Sequence, residues 1–269
     1  GPNAWPSTEF FNWNAANAQG NFSAGPNMTR DRRAHAAARL GNGHVLVSGG
    51  WSNQVSGITY AVEKFDPASN AFTLHPQPSW MVTNREYHRM AAVPGQTQAM
   101  VVGGVTSGIA PTASLETVPA GAQGKMQQAR FLHALTEVGV NTGLFWVIGG
   151  QNAYSGSPLA TVERLDASNL GLTGSIPELG TGRARHTATL LADGRVLVAG
   201  GRREMDGITA AVEISKTTNC QPLKMKPRPG KFFFEKAYLR KLPESVAIRA
   251  LVGNAGRINN PSVNVRYDL

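Results

Sequence analysis

The strongest constraint on what this chain can become is a block that occurs four times. Its clearest copy, Arg183 to Gly201, reads RARHTATLLADGRVLVAGG. It holds an arginine and a histidine three apart, an alternating apolar run, an Asp193–Gly194 turn, a second apolar run and a closing Gly200-Gly201. Two apolar runs around Asp-Gly predict a β-hairpin. Glycine at a strand end permits positive φ and lets another backbone come close, so the doubled glycine points to tight contact there. The other copies are Arg32–His35 with Gly49-Gly50, Arg85–His88 with Gly103-Gly104, and Arg130–His133 with Gly149-Gly150. Successive histidines lie 53, 45 and 53 residues apart, and 12 or 13 residues after each glycine pair come Glu63, Glu116, Glu163 and Glu213. A self-similar unit of about fifty residues, all strand and turn, predicts a β-propeller of four-stranded blades.

These motifs resemble kelch repeats, in which an apolar strand ends in Gly-Gly and aromatics follow in the third and fourth strands. The first unit fits throughout, with Phe65 in AVEKFDP and Phe72 in NAFTL, and the wording is closest to bacterial, galactose-oxidase-like kelch repeats. The resemblance covers residues 27 to 225 well and implies an all-β, kelch-like propeller of four-stranded antiparallel blades. Five blades are expected within one domain, 1–269, at about 27–79, 80–124, 125–179, 180–224 and 225–269, with six blades or part of a larger ring as the alternatives. Residues 1–26 supply closing strands, because Thr8-Glu9-Phe10-Phe11-Asn12 lines up with Val62-Glu63-Lys64-Phe65-Asp66. The 225–269 blade is divergent: Arg228 and Lys231 stand where the other units carry Arg and His.

Composition agrees with a turn-rich β protein: 30 glycines, 16% charged residues, no apolar run long enough to span a membrane and a single cysteine, Cys220. The net charge of +9 is local. Residues 1–180 hold ten basic and ten acidic side chains, whereas Lys216–Lys241 holds eight bases against Glu235 alone. That basic patch (Lys224, Lys226, Arg228, Lys231, Lys236, Arg240, Lys241) reads as a solvated face, a grip on an anionic polymer, or a docking surface for a partner subunit at residues 216–269. No established nucleic-acid-binding motif accompanies the charge, so nucleic acid ranks last among the partners.

If Arg-x-x-His starts the first strand and Gly-Gly ends the second, both lie at one end of the hairpin. The connections after Gly-Gly then share a face with the arginines, and loops on a rigid scaffold are where binding chemistry sits. Arg32, Arg85, Arg130 and Arg183, with Trp51, Tyr154, Arg202 and Arg203 from those connections, are the candidate ligand-binding residues; Glu204 and Asp206 are further distinctive members. A ring of guanidinium forks suits carboxylate, sulfate or phosphate groups, and the resemblance implies a role in binding acidic peptides. A second reading pairs each arginine with a repeat glutamate (Glu63, Glu116, Glu163 or Glu213) in a structural lock between neighbouring blades. The four histidines read as structural hydrogen-bonding groups rather than metal ligands.

Tyr87-His88 in REYHRM resembles the Arg-x-Tyr-His stretch that supplies copper ligands in galactose oxidase. That site also needs a cysteine-linked second tyrosine and a histidine from a following domain, so the copper set is incomplete here and no cofactor is expected. Neither GxSxG, HExxH nor a phosphate-binding loop occurs. The expectation is a non-catalytic recognition module for an acidic glycan or acidic protein segment, placed outside the cell, in a periplasm or on a cell surface. The competing expectations are a carbohydrate oxidase or isomerase, and a structural subunit held through the basic last blade.

Overall fold

The computed structural model describes residues 3–14, 16, 18–119, 121–139, 141–203 and 207–215, together with the backbone of 225–228 and 231–234. The described chain is all β, in several small antiparallel sheets. It divides into two units, Gly1–Thr218 and Asn219–Leu269. In the second unit the described residues form one hairpin, Met225–Arg228 with Lys231–Phe234. The rest of the expected 225–269 blade, the expected outer strand near 216–224 and Cys220 lie outside the described residues.

Each repeat folds as its own sheet, with strands in chain order. Sheet 1 comprises Ala36–Arg39, Val45–Ser48, Val62–Asp66 and Ala71–Leu74. Sheet 2 comprises Arg89–Ala92, Ala99–Val102, Ser114–Val118 and Gln123–Lys125. Sheet 3 comprises Ala134–Glu137, Leu144–Ile148, Val162–Asp166 and Gly171–Ser175. Sheet 4 shows Thr187–Leu190, Val196–Ala199 and Val212–Ile214. The first hairpins form where the sequence predicts them, with a longer turn than Asp-Gly alone implies. Leu191 and Arg195 close a three-residue loop, and Gly194 takes φ +83° at its third position, the left-handed site such loops reserve for glycine.

The sheets pack face to face, and that stacking explains the strand sequences. Ala99-Met100-Val101-Val102 is buried on both faces. Ala99 and Val101 meet Ala38, Leu46 and Val62 of sheet 1, whereas Met100 and Val102 meet Phe145, Val147 and Leu165 of sheet 3. Val196 and Val198 of sheet 4 pack on Ala134, Trp146 and Ile148 of sheet 3. A continuous apolar run is what a strand needs when both its faces are covered. The repeat aromatics have their expected place: Phe65 and Phe72 lie 5.0 Å apart, and Phe10 of the N-terminal hairpin (Glu9–Asn14 with Gln19–Ala24) joins them at 5.9 Å from Phe65.

The doubled glycines are the joints between sheets. At Gly49, Gly103 and Gly149 an added methyl group would collide with the arginine carbonyl and the histidine ring of the next unit. At Gly50, Gly104 and Gly150 it would collide with the histidine of the same unit. The second glycine also donates its N–H across the joint: Gly50 to Arg85 O at 2.8 Å, Gly104 to Arg130 O at 2.9 Å and Gly150 to Arg183 O at 2.9 Å. Only glycine tolerates both the positive φ and this approach. Gly200 has the same φ, +66°, but its nearest neighbour among the described residues is Thr209 O at 3.7 Å.

This difference sets a test. Against the described residues Gly200→Ala carries the left-handed penalty alone, about 1–2 kcal/mol. Gly103→Ala adds overpacking against the Arg130 carbonyl and costs roughly 1–3 kcal/mol more. Urea unfolding of the two variants measures the gap, and equal losses would remove the joint from the account.

Candidate functional site

Each motif arginine is sealed inside its own unit. Arg32, Arg85, Arg130 and Arg183 are 3%, 0%, 0% and 1% exposed. Arg32 donates through Nη1 to Gly49 O at 2.8 Å and Ala61 O at 3.0 Å, and through Nη2 to Glu63 Oε1 at 2.6 Å. Arg85 repeats the pattern with Gly103 O, Ser114 O and Glu116, Arg130 with Gly149 O, Thr161 O and Glu163, and Arg183 with Gly200 O, Ala211 O and Glu213. The second oxygen of each glutamate accepts a backbone N–H from the segment leading into the unit, from Thr29, Val82, Gln127 and Gly180. Burial pushes the Arg32, Arg85 and Arg130 guanidinium groups down from their usual value, and the paired glutamates pull them back up. The expected open ring of four arginines is therefore corrected. Their donors are spent on two carbonyls and a carboxylate, as the structural-lock reading has it, and the lock closes within each unit rather than between neighbours.

The motif histidines form the joints. His88, His133 and His186 are buried, each ring against the first glycine of the preceding unit and each Cβ against the second glycine of its own. His88 Nε2 lies 3.0 Å from Ser48 Oγ across the first joint. Burial, then the neighbouring arginines, hold His88 and His133 well below the ordinary imidazole range and bring His186 to about 4. These rings are neutral in the folded protein. Among the described residues no preceding unit covers His35, which is exposed.

The residues between arginine and histidine have another setting. The first of them pairs with the residue after Gly-Gly in every unit: Arg33 with Trp51, Glu86 with Val105, Phe131 with Gln151 and Ala184 with Arg202. The post-glycine connections thus share one face with the motif starts, as the topology argument predicts. The second residue, Ala34, Tyr87, Leu132 or Arg185, adopts the left-handed conformation each time, with φ between 54° and 59°. Their backbones link in series: Tyr87 N–H donates to Ala34 O at 2.9 Å, Leu132 to Tyr87 O at 3.3 Å and Arg185 to Leu132 O at 2.9 Å. Four strained positions in one hydrogen-bonded row form a rim that the repeat itself over-determines.

That rim carries the chemistry. Arg33 sits over the Trp51 ring at 5.1 Å. Phe131 lies 6.5 Å from Tyr87 and 4.9 Å from Tyr154, and Tyr154 is 52% exposed. Glu86 is half-buried, and burial raises its carboxyl while Arg33 lowers it. Burial also raises the Tyr154 phenol, with Glu86 and Tyr87 adding to the effect. An open cavity of about 420 Å³ is lined by Arg185, Gly201, Arg202 and Ile208. Arg203 is exposed and donates to Thr181 Oγ1 at 2.7 Å.

The structure therefore brings Trp51, Tyr154 and Arg202 to the rim and withdraws the four motif arginines from it. Sequence reasoning missed Arg33, Glu86 and Arg185 as site residues. The available signal was variation inside a fixed frame, since these positions change from unit to unit while Arg and His do not. Glu204, Asp206, Lys224, Lys236, Arg240 and Lys241 lie outside the described residues; Lys226, Arg228 and Lys231 have described backbone only, in the hairpin of the second unit. Tyr87 and His88 do not form a copper pair. The histidine ring is enclosed between Gly49 and Gly104, whereas the tyrosine belongs to the rim. No family model matches this chain, and no curated protein matches it.

The neutral histidines predict acid sensitivity. The unfolded chain takes up protons on imidazoles below pH about 6.5, which the folded chain refuses. Their contribution is complete above that pH and is lost as pH falls toward 4, by about 3 kcal/mol for His186 alone. Urea unfolding at pH 7.5, 5.5 and 4.5 reads this loss. A flat profile between 7.5 and 4.5 contradicts it.

Proposed function

We propose that the repeat units are consecutive blades of a kelch-like propeller acting as a non-catalytic recognition module, with the rim at its mouth binding an anionic ligand. The motif resemblance, the chain-ordered sheets stacked face to face and the adjacency of successive first strands support the propeller reading. The observation that carries the binding reading is the cavity between Arg185 and Arg202, open on the face that also bears Arg33, Trp51 and Tyr154. Two guanidinium groups beside one cavity suit carboxylate or sulfate oxygens through paired N–H donors. The rigid frame beneath supplies preorganisation, which lowers the ordering cost of binding. Such a module belongs outside the cell, in a periplasm or on a cell surface, where acidic glycans and acidic protein segments are available.

The test is an array of neutral, sialylated, sulfated and uronic-acid glycans and acidic peptides at physiological salt. Wild type should bind an acidic probe and ignore neutral ones. Arg185→Ala/Arg202→Ala should weaken that binding at least about 10-fold, given roughly 1.5–3 kcal/mol for each charge-assisted hydrogen bond lost. Binding unchanged in the double variant would remove the rim as the site.

A further inference from the structure

The rim holds more than cations, and the additional groups discriminate between the two anionic ligand classes. Phe131 is 1% exposed and contacts two further rings, Tyr154 at 4.9 Å and Tyr87 at 6.5 Å. The exposed Tyr154 ring is thus a supported aromatic platform. Glu86, the residue before Tyr87, is held on the same rim by its pairing with Val105, and it acts electrostatically on Arg33 and Tyr154. From Tyr87 to Arg185 the rim runs through Leu132 by two backbone hydrogen bonds. Tyr154 stacks on Phe131, and the next residue, Leu132, accepts the Arg185 N–H, so the platform and Arg185 belong to neighbouring units of one rim.

An acidic peptide has no use for Glu86, since a carboxylate in its path repels it. A sugar acid uses every group. Its apolar ring face covers an aromatic side chain, its hydroxyl groups need acceptors, and its carboxylate needs guanidinium donors. We infer that the mouth recognises a uronic acid within a glycan, with the sugar ring on Tyr154, hydroxyl groups donating to Glu86 and the carboxylate held by Arg185 and Arg202. This rests on the mouth being the binding face, and it adds Glu86, Tyr87 and Tyr154 as specificity-determining residues.

The sign of one substitution separates the classes. Glu86→Gln keeps the shape but weakens the acceptor and removes the negative charge. Oligogalacturonate and a poly-glutamate peptide are titrated calorimetrically into the full chain at physiological salt. The proteins compared are wild type, Glu86→Gln, Tyr154→Ala and Arg185→Ala/Arg202→Ala, each first shown to keep the wild-type urea midpoint. The expected result is that oligogalacturonate binds more tightly than poly-glutamate. Glu86→Gln and Tyr154→Ala should each weaken the oligogalacturonate about 10-fold or more, in keeping with the loss of one hydrogen bond to a charged group or one stacked ring. Poly-glutamate preferred by wild type and tightened by Glu86→Gln would overturn the sugar inference in favour of a peptide. Oligogalacturonate binding lost in the arginine variant but indifferent to Glu86 and Tyr154 would overturn the inference and leave the mouth reading standing. Indifference to all four positions, or no binding of either probe, would overturn both.

Discussion

A guanidinium group without water is the interaction on which this structure depends. Moving a charge out of water costs several kcal/mol unless hydrogen bonds and an opposite charge replace the hydration shell. Arg32 meets that demand by reaching two carbonyls and Glu63, and in doing so ties the end of the second strand to the start of the third. Glu63 in turn accepts N–H groups from Thr29 and Arg30, which anchors the segment feeding the unit. One ion pair therefore fixes three pieces of chain that local propensity alone would leave free, and the same set recurs with Glu116, Glu163 and Glu213.

The histidines and glycines extend this order from unit to unit. A neutral imidazole fits between two glycine pairs because neither pair carries a side chain, and the second glycine then bonds the arginine carbonyl of the next unit. Between arginine and histidine the chain passes through a left-handed residue at the rim, and the side chain before it varies from part-exposed Arg33 and Glu86 to buried Phe131 and Ala184. Fixed outer positions and free inner ones let such a repeat change what it binds without changing how it folds.

Much of the fold was legible. The hairpins, the four-strand pattern, the place of Phe65 and Phe72, and the N-terminal strand over residues 8–12 all follow from periodicity and repeat alignment. The glutamates were found by their spacing, and their partners were named. The choice between an open arginine ring and a buried lock was not legible, because recurrence alone does not reveal where a long side chain points. Arg33 and Arg185 were passed over for the opposite reason: they do not recur. The rim's row of left-handed residues left one trace in the sequence, since Ala, Tyr, Leu and Arg stand there and no β-branched residue does.

The most direct test compares two adjacent arginines. Arg32 is buried on Glu63, with both side chains 0% exposed, and Arg33 lies at the rim over Trp51. The measurement is the urea unfolding free energy of Arg32→Met and Arg33→Met. A frame built on the buried pair predicts a loss of about 3–5 kcal/mol for the first. It predicts a clearly smaller loss for the second, whose guanidinium lies over Trp51 at the rim and not on a buried carboxylate. Equal losses, or a larger loss at Arg33, would contradict the division between frame and rim.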